Sequence, residues 1–200
     1  RESSLHNYWE ASNQKMYKEA NGLFTLSQGM ASAMKVPESK IHKLKVVPVW
    51  TNDTFFKEIP PSENEFLKKL ELKDQFIVSY SGNLGKTHPV EKVFDMAERL
   101  VHDKDILFLI IGEGDKKSQL LARQKERQLP NLKILDFQPT DLFPHVLAAV
   151  NIGVVTLESD AADLSVPSKT FNLMSAGKPI LSIANNSSEL AQIITTHAIG

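Results

Sequence analysis

The sequence predicts an α/β fold, a doubly wound parallel sheet, and two observations carry that expectation. From Gln75 onward, short and almost wholly apolar stretches alternate with helical patterns of 8–14 residues. Strands of that kind are buried on both faces, so the helices between them must cover the sheet. Glycine and proline punctuate the changes of pattern, at Gly82, Gly112 and Gly177 among others.

Taken in order, residues 1–20 read as a polar helix with a few apolar positions, suited to packing on another part of the protein. Residues 22–27 read as a strand, 28–35 as a short helix, and 43–50 as a strand interrupted by Pro48, which suits an edge. A loop with a double proline (51–64) precedes a helix beginning at Glu65. The rhythm then gives strands at 75–82, 105–114, 132–137, 151–157 and 179–184, with helices at 89–102, 116–128, 141–149, 168–176 and 187–196. Right-handed crossovers wind such a series into a sheet covered on both faces, and its ligands bind beyond the carboxyl ends of the strands. The chain thus divides into 1–50, a linker loop and helix at 51–74, and the main domain at 75–200.

Composition narrows the function classes. Two hundred residues, 42% of them hydrophobic, can bury a substantial core. With 23 Lys and Arg against 24 Asp and Glu, the net charge of −1 argues against nucleic-acid binding through a basic surface. The absence of cysteine excludes disulfides and thiolate metal sites and fits a reducing compartment. No apolar run approaches the ~20 residues that span a membrane, and no signal peptide is visible. A start at Arg1 and an end at Gly200 inside the repeating pattern are expected of a piece of a longer protein.

The most informative stretch is Ser165 to Ala184. Ser168 is expected to cap a helix that Gly177 ends in the left-handed conformation, with Pro179 blocking continuation. At about 100° per residue, Ser168, Lys169, Asn172, Ser175 and Ala176 share one face, while Thr170, Phe171, Leu173 and Met174 face the sheet. A lysine in a first turn opposes the helix dipole, and a bound anion would offset it. An ordinary surface helix with a solvated lysine is the competing reading.

Four strand ends could build a site. In SGNLGKTH (81–88), Gly82 and Gly85 permit close backbone approach and Lys86 or His88 could meet a phosphate; a plain glycine turn is the alternative. In IIGEGD (110–115), the GxG lacks the third glycine of a dinucleotide fingerprint, and Glu113 could contact a hydroxyl or remain solvated. In DFQPTD (136–141), backbone groups of Phe137 and Gln138 could hold a flat base edge, or the segment could be a turn into a helix capped by Asp141. The fourth, 156–168, is long and polar. Glu158, Asp160 and Asp163 could invite a metal, but no histidine or second carboxylate set stands at ligand spacing, so no metal site is expected. The six histidines form no pair at ligand spacing and no GxSxG occurs, which leaves zinc-dependent and serine hydrolases without support.

The order of these motifs is recognisable. GLFTLSQGMASAMK and KLKVVPVWTNDTFFKEI resemble the segment joining the two lobes of glycosyltransferases with the two-Rossmann-domain (GT-B) fold. YSGNLGKTHPVEKVFDMAERL, FLIIGEGDKKSQLL, LKILDFQPTDLFPHVLAAVNIGVVTL and VPSKTFNLMSAGKPIL resemble the C-terminal, donor-binding lobe of glycosyltransferase family 4, most of all its bacterial capsule and O-antigen members. The resemblance implies that 1–50 is the inter-lobe segment and start of the lobe, and 75–200 a Rossmann-like nucleotide-sugar-binding domain.

By that resemblance, Gly82, Asn83, Leu84 and Gly85 lie near the donor diphosphate, and where many relatives have a phosphate-binding lysine after this first turn the chain has His88. Ser168 and Lys169 meet the phosphates, Phe137 and Gln138 hold the base, and Glu113 is a candidate contact. Many members carry two glutamates eight positions apart, the second on the ribose; here those positions are Leu164 and Asn172. Lys169 and Asn172 are the candidate catalytic residues. The resemblance further implies a UDP-sugar donor of acetamido type, transfer with retention, no required cofactor or metal, and an acceptor that is a lipid-linked sugar or glycan. That acceptor would be met through the N-terminal lobe, in the cytoplasm at the inner face of the membrane, with peripheral membrane association of the full-length protein. The isolated lobe would be inactive. Because Leu164 and Asn172 depart from the pattern, a non-catalytic module binding a nucleotide or partner is the alternative.

Overall fold

The apolar stretches form one parallel sheet in the computed structural model, which describes residues 3–52, 55–56, 58–72, 74–159 and 165–200. Helix α1 (Ser4–Glu19) is capped by Ser3, whose hydroxyl accepts from the His6 N–H at 3.2 Å. It leads to a parallel pair, β1 (Leu23–Thr25) and β2 (Leu44–Val46), connected through α2 (Gln28–Ala33) and a single turn, α3 (Glu38–Ile41). The sequence reading did not anticipate α3. Pro37 breaks the chain after α2, and ESKI winds one turn with Glu38 at its start and Lys40 at its end. Strand β2 is shorter than expected and stops two residues before Pro48, which has no N–H to donate.

Helix α4 (Glu65–Lys69) is fastened by buried Asn64, whose Oδ1 accepts from the N–H groups of Phe66 and Leu67. The series continues as β3 (Phe76–Ser81), α5 (Glu91–Arg99), β4 (Ile106–Ile111), α6 (Lys117–Arg127) and β5 (Leu132–Leu135). It closes with α7 (Phe143–Ala149), β6 (Ile152–Thr156), α8 (Lys169–Ser175), β7 (Ile180–Ile183) and α9 (Glu189–His197). The strands are parallel in the order β5-β4-β3-β6-β7. From β3 the chain runs outward through β4 and β5, then returns to the other side of β3 for β6 and β7. The crevice between the carboxyl ends of β3 and β6 is therefore the topological switch point.

Both faces of the sheet are buried, as the apolar strands required. In β4, Phe108 and Ile110 join Val78, Tyr80, Phe94 and Leu120 beneath α5 and α6. The alternate residues Leu107, Leu109 and Ile111 meet Phe66, Leu67 and Val146 of α4 and α7. A third cluster, with Val155, Leu173, Ile180 and Leu190, seats α8 and α9 on β6 and β7.

Helix α8 sets the rotation of the functional face. Thr170 is fully buried and Leu173 lies directly over Gly153 of β6. Gly177 ends the helix at φ +64°, with Lys178 N–H donating to Leu173 O and Gly177 N–H to Met174 O, the Schellman pattern. Ser168 does not cap the start. Its own backbone is helical (φ −58°, ψ −26°), which turns its hydroxyl away from the first-turn N–H groups. Those groups bond backbone instead, Thr170 N–H to Pro167 O at 3.0 Å and Phe171 N–H to Ser168 O at 3.1 Å. Asp141 likewise caps no helix: its carboxylate accepts from Leu142 N–H, and α7 begins at Phe143.

A Cβ at Gly153 would stand 2.4 Å from both Leu173 methyl carbons. Gly153→Ala is therefore expected to lift α8 and cost about 1–3 kcal/mol in a urea melt. A loss below about 0.5 kcal/mol would mean that Leu173 swings aside freely.

Candidate functional site

Two glycine turns at the switch point interlock through their backbones. The Gly82 N–H donates to Ile111 O at 2.9 Å and the Leu84 N–H to Glu113 O at 2.7 Å. A Cβ on Gly112 would lie 1.9 Å from the Gly82 carbonyl oxygen, and one on Gly114 2.6 Å from the Leu84 carbonyl carbon. Both glycines hold positive φ, +156° and +148°, so L residues are excluded by conformation as well as by space. The turn after β3 thus rests on the turn after β4 with no side chain between them.

Over this floor lies Lys169, the first residue of α8. Its Nζ sits 3.7 Å from the centre of the Tyr80 ring and would be 2.7 Å from a Cβ on Gly82. The Nζ is buried and has no hydrogen-bond partner among the described residues. Burial lowers its pKa to about 7, since desolvation penalises the charged form. Tyr80 is itself fully buried; its hydroxyl donates to Asn83 O at 2.6 Å, and burial raises its pKa.

His88 approaches from the turn after β3. Its Nδ1 is 3.1 Å from the Thr156 carbonyl, which can only accept, so Nδ1 carries the hydrogen and Nε2 is left available. Burial lowers the His88 pKa, and the charges of Lys169 and Lys116 lower it further against the raising effect of the Thr156 carbonyl. Lys116 is engaged elsewhere, donating to His88 O and pairing with Glu91 at 3.0 Å. On α8, Asn172 Oδ1 accepts from the Thr51 hydroxyl at 2.8 Å. Thr51 belongs to the segment that follows β2.

These groups surround a cleft of about 520 Å³. Its lining brings together Gly82, Asn83, His88, Phe137, Gln138, Ser168, Lys169 and Asn172 from the sequence reading, and adds Leu26, Val49, Phe143 and Val166. Phe137 stands exposed at the margin and Gln138 is held by Lys69 at 3.2 Å. Among the described residues that line the cleft, none is a carboxylate, and Lys169 is the lone lysine or arginine.

The remaining expected residues lie off the lining. Leu84 is fully buried in the core beneath α5, and a Cβ on Gly85 would stand 3.1 Å from the Asn83 side-chain amide. Lys86 points to solvent. Glu113 is paired with Lys117 at 2.5 Å, and Lys117 also bonds Asp136. Leu164, Asp160 and Asp163 lie outside the described residues. Tyr80 was missed because within the run QFIVSYSG it reads as one more core aromatic of a buried strand.

A larger hollow of about 740 Å³ lies at the opposite, amino-terminal ends of the strands. Two of its polar side chains hold the fold: Asn151 Oδ1 accepts from Ile77 N–H and Lys178 Nζ donates to Ala148 O. Parallel sheets bind at their carboxyl ends, and Lys169 is there too.

Comparison with known proteins adds the family and the fold likeness. The family model for glycosyl transferases group 1 matches residues 62–200. A protein of Escherichia coli (strain K12) named as a colanic acid biosynthesis glycosyl transferase, WcaI, is 30% identical over 151 residues, covering 74% of this chain and 37% of its own. WbjE of Pseudomonas aeruginosa, named as a glycosyltransferase, is 27% identical over 185 residues, covering 92% of this chain and 46% of its own. The chain therefore spans less than half the length of these curated relatives.

Among solved structures, Anabaena Alr3699/HepE in complex with UDP and glucose superposes with a TM-score of 0.72 at 15% identity, covering 96% of this chain and 52% of the other. WaaG, a glycosyltransferase involved in lipopolysaccharide biosynthesis, gives 0.72 at 15% identity, covering 98% and 53%. These two likenesses show the fold. No helix among the described residues is long and apolar enough to cross a membrane.

Proposed function

Because the chain belongs to the glycosyl transferases group 1 family, we propose that it is the donor-binding lobe of a GT-B glycosyltransferase and that its cleft holds the diphosphate of a UDP-sugar. The observation that carries this reading is the Lys169 ammonium, buried above a glycine turn at the topological switch point with no hydrogen-bond partner among the described residues. A buried cation with no counter-charge is costly, and a diphosphate entering beside Gly82 would supply that charge. UDP is favoured because the Anabaena neighbour of the same fold was solved with UDP and glucose.

In this reading Lys169, and His88 once protonated at Nε2, offset the charge that grows on the leaving nucleoside diphosphate. Phe137 and Gln138 border the base, and Asn172 faces the ribose. The names of the relatives point to bacterial surface polysaccharide. We extend this to an acetamido sugar, transfer with retention, and a lipid-linked or glycan acceptor met at the inner membrane face by the part of the protein outside this chain. The division into 1–50 as inter-lobe segment, 51–74 as linker and 75–200 as binding domain belongs to the same proposal.

A non-catalytic nucleotide-binding module is the rival, favoured by Asn172, whose amide oxygen is already taken by Thr51. Calorimetric titration of the full-length protein with UDP, GDP and ADP, followed by UDP release from UDP-sugars, separates the two. UDP is expected to bind at least about tenfold more tightly than the others, a difference of ~1.4 kcal/mol. Binding of none of them would overturn the donor site. Tight UDP binding with no release from any UDP-sugar, with acceptor glycans present, would select the non-catalytic module.

A further inference from the structure

One buried residue touches both halves of the site. The Tyr80 ring face lies under Lys169 Nζ at 3.7 Å, and the Tyr80 hydroxyl donates to Asn83 O at 2.6 Å. The first contact is a cation–π arrangement, and removal from water strengthens it. The second fixes the carbonyl that follows Gly82, at the tip of the turn. We propose that Tyr80 is a positioning residue for the donor diphosphate: its ring stations the Lys169 ammonium, and its hydroxyl holds the Gly82–Asn83 turn against which that ammonium faces. The proposal rests on the donor-site reading above and adds to it a residue that reaches the ligand through two others.

Among the described residues, the surroundings of Nζ leave the ring as its partner. The other charged and titratable groups nearby are His88, whose Nδ1 is tied to Thr156 O, and Lys116, paired with Glu91. Asn172 is turned to Thr51, and among the described residues no carboxylate lines the cleft. A lysine buried in this way is uncharged more readily than a solvated one. UDP must therefore bring a proton with it when the pH exceeds about 7, the value that burial imposes on Lys169. Affinity for UDP should accordingly fall as the pH rises above 7.

The test is calorimetric titration of the full-length protein with UDP from pH 6.5 to 9, for wild type, Tyr80→Phe, Tyr80→Met and Lys169→Met. Tyr80→Phe keeps the ring and should lose about threefold in affinity with the wild-type pH dependence intact. Tyr80→Met should lose about tenfold at pH 7, and its decline should begin roughly one pH unit higher because water then reaches Lys169. In a Lys169→Met background, Tyr80→Met should cost less than about twofold, since the ring would no longer have a cation to place.

Equal pH profiles for the Phe and Met variants, or full additivity with Lys169→Met, would overturn the ring's role while leaving the donor site in place. Wild-type affinity in Tyr80→Phe would overturn the hydroxyl's role. Lys169→Met with unchanged UDP affinity would instead sink the donor-site reading itself. Should Tyr80→Met not fold, the Lys169 ε-methylene resonance in wild type labelled with ¹³C-lysine decides. It is expected upfield from the ring current and displaced on UDP saturation, and an ordinary lysine shift overturns the ring's role.

Discussion

Lys169→Met is expected to stabilise the empty domain while weakening UDP binding at least about tenfold. Burial holds the Lys169 pKa at about 7 in the folded chain, against an ordinary value of 10.5. Between those values the unfolded chain binds more protons than the folded one, so stability rises with pH across that window. At pH 7 and below, the protein carries nearly the whole cost of dehydrating the ammonium. Methionine has a similar reach and no such cost, and its gain should be about 1–3 kcal/mol at pH 7. For a domain of this size that is a rise of roughly 2–4 °C in melting midpoint for each kcal/mol. The advantage should shrink toward pH 10, where the wild-type lysine is neutral when folded. Melts at pH 7 and pH 10 measure it. An unchanged midpoint at pH 7 would show that Nζ reaches water, and the premise of a stored cation would fail.

The second large effect concerns Gly112. Its Cα hydrogen faces the Gly82 carbonyl, and a methyl group there would stand 1.9 Å from that oxygen. Neither partner is a side chain that can rotate away, and φ of +156° is itself hostile to alanine. Gly112→Ala should therefore separate the turns after β3 and β4, break the Gly82 N–H to Ile111 O bond, and cost on the order of 3–5 kcal/mol. UDP binding should be lost along with it. Gly82→Ala makes the informative contrast. Its φ of +149° also strains alanine, but its methyl would meet only the flexible end of Lys169 at 2.7 Å, so the loss of stability should be smaller than at Gly112 while affinity still falls. Chemical denaturation with UDP titration of both variants checks this. A mild Gly112→Ala would mean that the two turns move apart easily.

Much of the fold was legible because its signals are local. Runs such as DILFLIIGEG announce a strand buried on both faces, and Gly177 with Pro179 announces a helix stop whatever surrounds it. The turn at Gly82 and the helix from Lys169 could be assigned to strand carboxyl ends, and the order of strands follows from crossover geometry once the family is recognised. Side-chain destinations were harder. Ser168 has the chemistry of a cap, but its own backbone is helical and the first-turn N–H groups of Thr170 and Phe171 bond the Pro167 and Ser168 carbonyls, which a cap pattern does not encode. Glu113 had Lys117 four residues ahead in plain view, a spacing that joins them across a helix start. Tyr80 gave no warning, because period-two alternation places a residue on a face of the sheet without saying what lies over it. Nor could spacing reveal the bond between Thr51 and Asn172, 121 positions apart.

That last bond has a thermodynamic consequence. Thr51 closes the segment that begins with α1, and Asn172 lies on the wall of the cleft, so the two regions share one hydrogen bond. Free energies of this kind are reciprocal. If a nucleotide draws the Asn172 amide toward its sugar, the leading segment is loosened by the same coupling free energy that breaking the bond costs the ligand. If the leading segment shifts for any reason of its own, the ligand's affinity changes by the same factor. The cleft and the segment before it are in this sense two readings of one equilibrium.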